Sequence, residues 1–211
     1  MKKLAIATCF GMLMVSAVSA QEFSRFAFNI GAGFTQGLGD TGRVTDMGWN
    51  ARAGVGVNFS PYVGLMFNGG YDNLGINSST LETFGAPGGR MSVWSATVGP
   101  IVHLNPKGHV DFYVFGDGGW FRRYQEFTAP SVAVVTGFDP FFGFYPVGVP
   151  SNQILQSYSV NKAGMNVGAG LSFGRKWNGK FFAEARYSRI FMGNRFSNDT
   201  EYLPVTFGFR W

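Results

Sequence analysis

The chain has 211 residues, of which 45% are hydrophobic, 17% aromatic and only 14% charged. Ordinary soluble domains carry about 25% charged residues, so this composition argues against a surface turned wholly to water, and a single Cys excludes a disulfide framework. The formal net charge of +5 includes Lys2 and Lys3 of the first element, and the export that this element implies disfavours nucleic-acid binding by location.

Residues 1–20 read as a cleaved secretory signal: Lys2 and Lys3 precede an apolar run from Leu4 to Val18, and Val18-Ser-Ala20 before Gln21 offers small residues at the cleavage site. The run is too short for a transmembrane helix, which needs about 20 residues. Cys9 lies within it, so residues 21–211, the expected single domain, contain no thiol and no lipidation point. Beyond residue 18 no uninterrupted apolar run is long enough to cross a bilayer as a helix. A membrane chain without such helices is left with a closed β-barrel, because hydrocarbon cannot hydrogen-bond an open sheet edge.

Eight alternating segments follow in order. The first sets Phe26, Phe28, Ile30, Ala32 and Phe34 against Asn29, Gly31, Gly33 and Thr35. The second sets Trp49, Ala51, Ala53, Val55, Val57 and Phe59 against Asn50, Arg52, Gly54 and Gly56. The third opposes Val63, Leu65, Phe67 and Tyr71 to Met66, Asn68 and Asp72. The fourth opposes Trp94, Ala96, Val98, Pro100, Val102 and Leu104 to Ser95, Thr97, Ile101 and His103. The fifth, 110–123, has two competing phases, and the one that turns Asp111, Asp117 and Arg123 inward is adopted. In the sixth, Ala163 to Phe173 alternate with Gly164, Asn166, Gly168, Gly170 and Ser172; the seventh exposes Phe181 to Tyr187 and hides Glu184, Arg186 and Ser188. The eighth is Leu203-Pro-Val-Thr-Phe-Gly-Phe-Arg-Trp211.

The connections alternate in length. Compact turns at 60–61, 105–109 and 174–179 follow the even strands; longer loops at 37–47, 74–88, 124–156 and 192–200 follow the odd ones. That asymmetry matches short periplasmic turns and long extracellular loops, with both termini periplasmic. Aromatics sort by depth as well. Trp49, Tyr71, Trp94 and Trp120 fall near the outer ends, and Phe59, Phe173 and Trp211 near the inner ends, giving two membrane girdles. A soluble carrier barrel with the apolar face inside is the competing arrangement; the low charge, loop asymmetry and terminal Trp favour the membrane version.

The final strand, with Phe207, Phe209 and Trp211 on one face, resembles the C-terminal assembly signal of Gram-negative outer-membrane β-barrels. By architecture the whole of 21–211 resembles the small OmpA/OmpX-like barrels. The fold class expected is therefore all-β: an eight-stranded antiparallel up-and-down transmembrane β-barrel. The resemblance implies residence in the outer membrane, contact with its lipid and lipopolysaccharide, delivery by the barrel-insertion machinery, and a structural or adhesive role. A small-solute channel comes second and a lipid A-modifying enzyme third.

Arg52, Asp72, Asp117, Arg123, Glu184 and Arg186 are the expected polar network of the lumen, where an unpaired charge costs several kcal/mol. Glycine pairs such as Gly31-Ala-Gly33 and Gly54-Val-Gly56 mark a narrow interior rather than phosphate loops, since no helix follows them. No catalytic, cofactor or metal site is expected: His103 and His109 are the only histidines, neither begins a His-Xaa-Ser pair, and no Cys or His cluster has ligand spacing. Arg43, Arg90, Arg122, Arg123, Lys162 and Arg195 fall near the outer rim, where lipopolysaccharide phosphates would lie. Loop 124–156 is unusually apolar. It carries Phe138, Phe141, Phe142, Phe144 and Tyr145, and three readings stay open: packing over the barrel rim as a lid, docking on a neighbouring barrel, or contact with a surface partner.

Overall fold

The computed structural model describes residues 24–83, 85–174, 179–193 and 198–211; the expected signal at 1–20 lies outside them. Eight strands run in chain order: β1 (Phe26–Gly37), β2 (Gly48–Asn58), β3 (Val63–Gly75), β4 (Gly88–His103), β5 (Val110–Asp139), β6 (Gly143–Phe173), β7 (Lys180–Ile190) and β8 (Thr200–Arg210). Each pairs antiparallel with the next, and β8 returns to β1, so the sheet closes. Two one-turn helices, Gly39–Val44 and Ser78–Thr83, decorate the long-loop end. Among the described residues no helix is long and apolar enough to cross a membrane.

The register sets the barrel's dimensions. From Phe34 the partners run through Val205, Ala185, Ala169, Val114, Val102 and Val63. Val63 accepts the Phe59 N–H, and the neighbouring Asn58 N–H bonds Arg25, so the circuit re-enters beside β1 at Ser24, ten residues below its start. With about 3.3 Å per residue and about 4.8 Å between strands, that stagger tilts the strands by roughly 40° and gives a backbone radius of about 8 Å. Only side chains fit inside such a cylinder.

Alternation decides what faces out. Phe28, Ile30, Trp49, Phe67, Trp94, Val98, Phe207 and Phe209 are exposed on the outer wall, while Asn29, Thr35, Asn50, Asn68 and Thr206 are buried within. The girdle positions Trp49, Tyr71, Trp94, Trp120, Phe59 and Phe173 all lie on the outside, with Tyr71 touching Trp49 and Trp94 at centroid distances of 5.2 and 4.7 Å. From Trp94 down to Leu104 the wall is about 25 Å tall at this tilt, the height of an outer-membrane apolar band. The fifth-strand phase is the one that buries Asp111 and Asp117 and exposes Phe112, Val114 and Trp120. Trp211 exchanges both backbone hydrogen bonds with Phe28, at 2.9 and 3.0 Å, which carries the β1–β8 seam to the last residue.

The largest departure from expectation is at 124–156. These residues are not a loop: β5 and β6 continue through them as one long antiparallel hairpin, paired from Val110↔Phe173 to Asp139↔Gly143. β4 also starts earlier than expected, at Gly88, and accompanies β5 as far as Thr128. Beyond that point β5 and β6 have only each other, and a register shift between Phe127 and Thr128 marks the departure. The β-branched run Val132, Val134, Val135 and the aromatics after Phe138 favour extended chain.

Candidate functional site

The lumen is layered. Toward the long-loop end, Val93, Phe121, Ile190, Met192 and Tyr202 form one buried apolar cluster; Ala27, Met66, Ile101, Tyr113 and Phe115 form another at the opposite end. Between the two lies a polar belt. Arg52 Nη2 reaches Asp72 Oδ2 at 3.0 Å, and the other Asp72 oxygen accepts the Thr35 hydroxyl at 2.9 Å. Asn50 holds this corner by donating to Thr35, to Phe34 O and to Val205 O, while it accepts from Thr206.

Arg186 organises the second half of the belt. Its Nη2 and Nε donate to Glu184 Oε1 at 2.7 and 2.8 Å, and Nη1 donates to Asp117 Oδ2 at 3.1 Å. Asn166 and Asn68 donate to Asp117, and the Tyr113 hydroxyl donates to Glu184 Oε2. The Arg186 guanidinium also lies 4.3 Å from the Phe115 ring centroid. Arg210 stacks over Tyr113 at 4.2 Å and faces Phe182 at 5.5 Å. Its Nε and Nη1 have no hydrogen-bond partner among the described residues, so ring faces replace acceptors there. Three guanidiniums thus balance Asp72, Asp117 and Glu184.

The belt leaves little space. The cavity between Asn68, Phe115, Asp117, Glu184, Arg186 and Arg210 measures about 10 Å³, room for at most one water molecule. Glycines make such packing feasible: a Cβ at Gly170 would overlap the Tyr113 ring and one at Gly168 the Phe115 ring. Five of the six charges expected in the lumen meet in this belt. Arg123 does not; its Nη1 donates instead to the Thr200 hydroxyl at 2.8 Å, nearer the long-loop end. Tyr113, Asn50, Asn68, Asn166 and Arg210 were not anticipated as network members, although each lies on an inward face of the alternation.

Other expected groups are already engaged. His103 Nδ1 sits 2.6 Å from Asp111 Oδ2 at the short-turn end, and His109 lies exposed in the turn. Among the described residues no grouping of His, Cys, Asp and Glu could hold a metal ion. Of the rim cations, Arg43 pairs with Asp40, Arg90 with Glu126, and Arg122 donates to Ser159; Arg195 lies outside the described residues. Arg43 and Arg90 keep 82% and 57% of their side-chain area exposed beside these partners. Asp199, between β7 and β8, accepts the Met192 N–H and then Arg189, and these bonds hold its carboxyl below the ordinary carboxylate range. A depressed pKa contributes order above that range and loses it as pH falls through the folded value. Hydrogen exchange at the Met192 amide, corrected for its intrinsic rate, is therefore expected to accelerate in acid and to stay unchanged around neutrality.

The hairpin is the opposite of the lumen: apolar and open. Its root is held by Phe127 packed with Ile76, Ala86 and Leu81, and by the Arg90–Glu126 pair. Its tip is bare, with Phe141 92% and Phe142 87% exposed, and Phe138, Phe144 and Tyr145 exposed behind them. Packing over the rim as a lid is therefore not the arrangement seen. Phe138 and Phe144 rings meet at 5.1 Å, Asp139 Oδ1 accepts the N–H groups of Phe141 and Phe142, and Gly143 takes φ +75° to complete the turn.

A family model described as outer membrane protein beta-barrel domain matches residues 5–209. Neisserial surface protein A is 18% identical, with a TM-score of 0.55 over 89% of this chain and 96% of that one. A major outer membrane protein from Thermus thermophilus is 10% identical, with a TM-score of 0.53 over 89% and 100%. The attachment invasion locus protein of Yersinia pestis is 19% identical, with a TM-score of 0.46 over 89% and 100%. At these identities the first two likenesses establish the fold. No curated protein matches the chain.

Proposed function

The chain belongs to the outer membrane protein beta-barrel domain family, and from that premise we propose that it acts as a structural, surface-interacting barrel whose β5–β6 hairpin is the contact element. One contrast carries this reading. The polar belt of the lumen closes around a cavity of about 10 Å³, whereas large apolar side chains stand exposed outside the wall on the hairpin. A barrel with a filled interior and a greasy projection is suited to touching something rather than to passing something.

In this reading the wall faces outer-membrane lipid and lipopolysaccharide, the strand bearing Phe207, Phe209 and Trp211 is read by the insertion machinery, and both termini lie on the periplasmic side. No enzymatic role is proposed. His103 is engaged with Asp111, and among the described residues neither histidine has a hydroxyl at hydrogen-bond distance. Planar-bilayer recording is the direct test: the purified barrel is expected to give no discrete openings, and reproducible openings would replace this reading with a small-solute channel.

Deleting residues 130–149 tests the hairpin. Because these residues pair only within the ribbon, the heat-modifiability midpoint on detergent gels is expected to move by no more than a few degrees. Attachment of barrel-displaying cells to surfaces or other cells is expected to fall to background. Loss of barrel stability without loss of attachment would overturn the assignment.

A further inference from the structure

We propose that the hairpin tip, Phe138 to Phe144, seats in the interfacial region of a second lipid bilayer facing the barrel mouth; this deepens, and rests on, the assignment of the hairpin as contact element. Charge points to lipid first. Asp139 is the only charged residue between Glu126 and Lys162, and its carboxylate is turned back onto the N–H groups of Phe141 and Phe142 at 2.8 and 3.1 Å. The outermost point of the molecule therefore presents aromatic rings and a single carboxylate that is tied to the backbone of the turn.

The distribution of apolar side chains separates a fluid from a protein partner. Phe138, paired with Phe144, lies on one face of the ribbon; Tyr145 and Val147 lie on the other, and residues on both faces are exposed. A protein groove covers one face of a two-stranded ribbon, whereas a lipid interface surrounds both. From Thr128, where β4 leaves, to Asp139 the ribbon extends about 35 Å, enough to carry the tip clear of the rim.

The edges argue against a second copy adding as a strand. Pro130, Pro146 and Pro150 oppose Asn152, Thr136 and Val132. These pairs are an even number of residues apart along β5, so all three prolines occupy the same class of ladder position. A proline keeps its place in a paired strand only where its nitrogen faces away from the partner. Donors are thus missing on the outer edges, which blunts edge-to-edge pairing. The same edges limit depth: unpaired backbone cannot enter hydrocarbon, so insertion stops at the headgroup level where aromatic rings are favoured.

The test uses the mature protein, residues 21–211, in nanodiscs, mixed with neutral phosphatidylcholine vesicles and floated. Co-flotation is expected, and Phe141→Ser with Phe142→Ser is expected to cut the bound fraction at least tenfold while leaving the heat-modifiability midpoint unchanged. A Phe142→Trp variant adds a positional readout: its fluorescence is expected to be quenched by brominated lipid placed in the vesicles. Quenching only by brominated lipid in the protein's own disc would overturn the proposal. So would equal flotation of the serine variant, no flotation at all, or flotation confined to anionic vesicles and abolished by salt. Loss of cell attachment in the 130–149 deletion combined with no vesicle binding would leave the hairpin as contact element and remove only lipid as its target.

Discussion

Arg186→Met is expected to lower the heat-modifiability midpoint of the folded barrel by roughly 10 °C. The substitution removes the one cation that bonds both Glu184 and Asp117, each of them almost wholly buried. Breaking a buried ion network from one side costs about 3–5 kcal/mol, because the charges left behind are neither hydrated nor paired. In a domain of this size each kcal/mol moves a midpoint by about 2–4 °C. The physical cause can be isolated by neutralising the orphans: Arg186→Met with Glu184→Gln and Asp117→Asn is expected to recover part of the loss, since neither carboxylate then carries an unpaired charge, while Arg210 is left with the Tyr113 and Phe182 ring faces alone. Gel-shift midpoints for the single and triple variants decide the matter. A single-variant shift below about 2 °C would mean that water reaches these carboxylates and that the lumen is wetter than its packing implies.

Gly33→Val is expected to reduce the folded fraction recovered in detergent or vesicles to under a tenth of the parent. Gly33 pairs with Thr206 across the β1–β8 seam, and a Cβ there would overlap the Val205 carbonyl oxygen. Backbone atoms on the facing strand cannot swing aside as a long side chain can, so the added branch forces the seam open and leaves edge donors and acceptors in lipid. Gly69→Ala supplies the control: on β3 the same added atom meets nothing nearer than 3.9 Å, and folding is expected to be unaffected. Folded and unfolded bands on an unheated gel report both outcomes.

The wall of this barrel was legible because lipid imposes a period-two pattern over eight strands, from Phe26 to Trp211. Even the ambiguous fifth strand resolved once the burial cost of Asp111 and Asp117 was weighed against the exposure of Phe112 and Trp120. The hairpin was not legible, for a reason its own residues supply. Val132, Val134, Val135, Phe138, Phe144 and Tyr145 place apolar groups on both faces, so alternation vanishes, and Pro130, Pro146 and Pro150 read as strand breakers although they sit where no ladder donor is needed.

The lumen was half readable. Arg52, Asp72, Asp117, Glu184 and Arg186 could be gathered from their shared inward phase. Arg123 shared that phase, yet its height depends on the stagger between strands, which alternation does not encode, and it meets Thr200 instead. Tyr113 and Arg210 escaped notice because an inward phase alone does not say which side chains meet, and only the register brings these two face to face.

The β1–β8 seam has a kinetic consequence. Phe34 and Val205 become neighbours although nearly the whole barrel lies between them in the chain, so this pairing has the greatest loop-closure entropy of any in the sheet. Hairpins such as β2–β3 can form early from local contacts, but the cylinder cannot be joined until β8 has arrived. Until then both edges stay open, and a half-built sheet would be sticky toward other unfinished chains as well as toward its own missing partner.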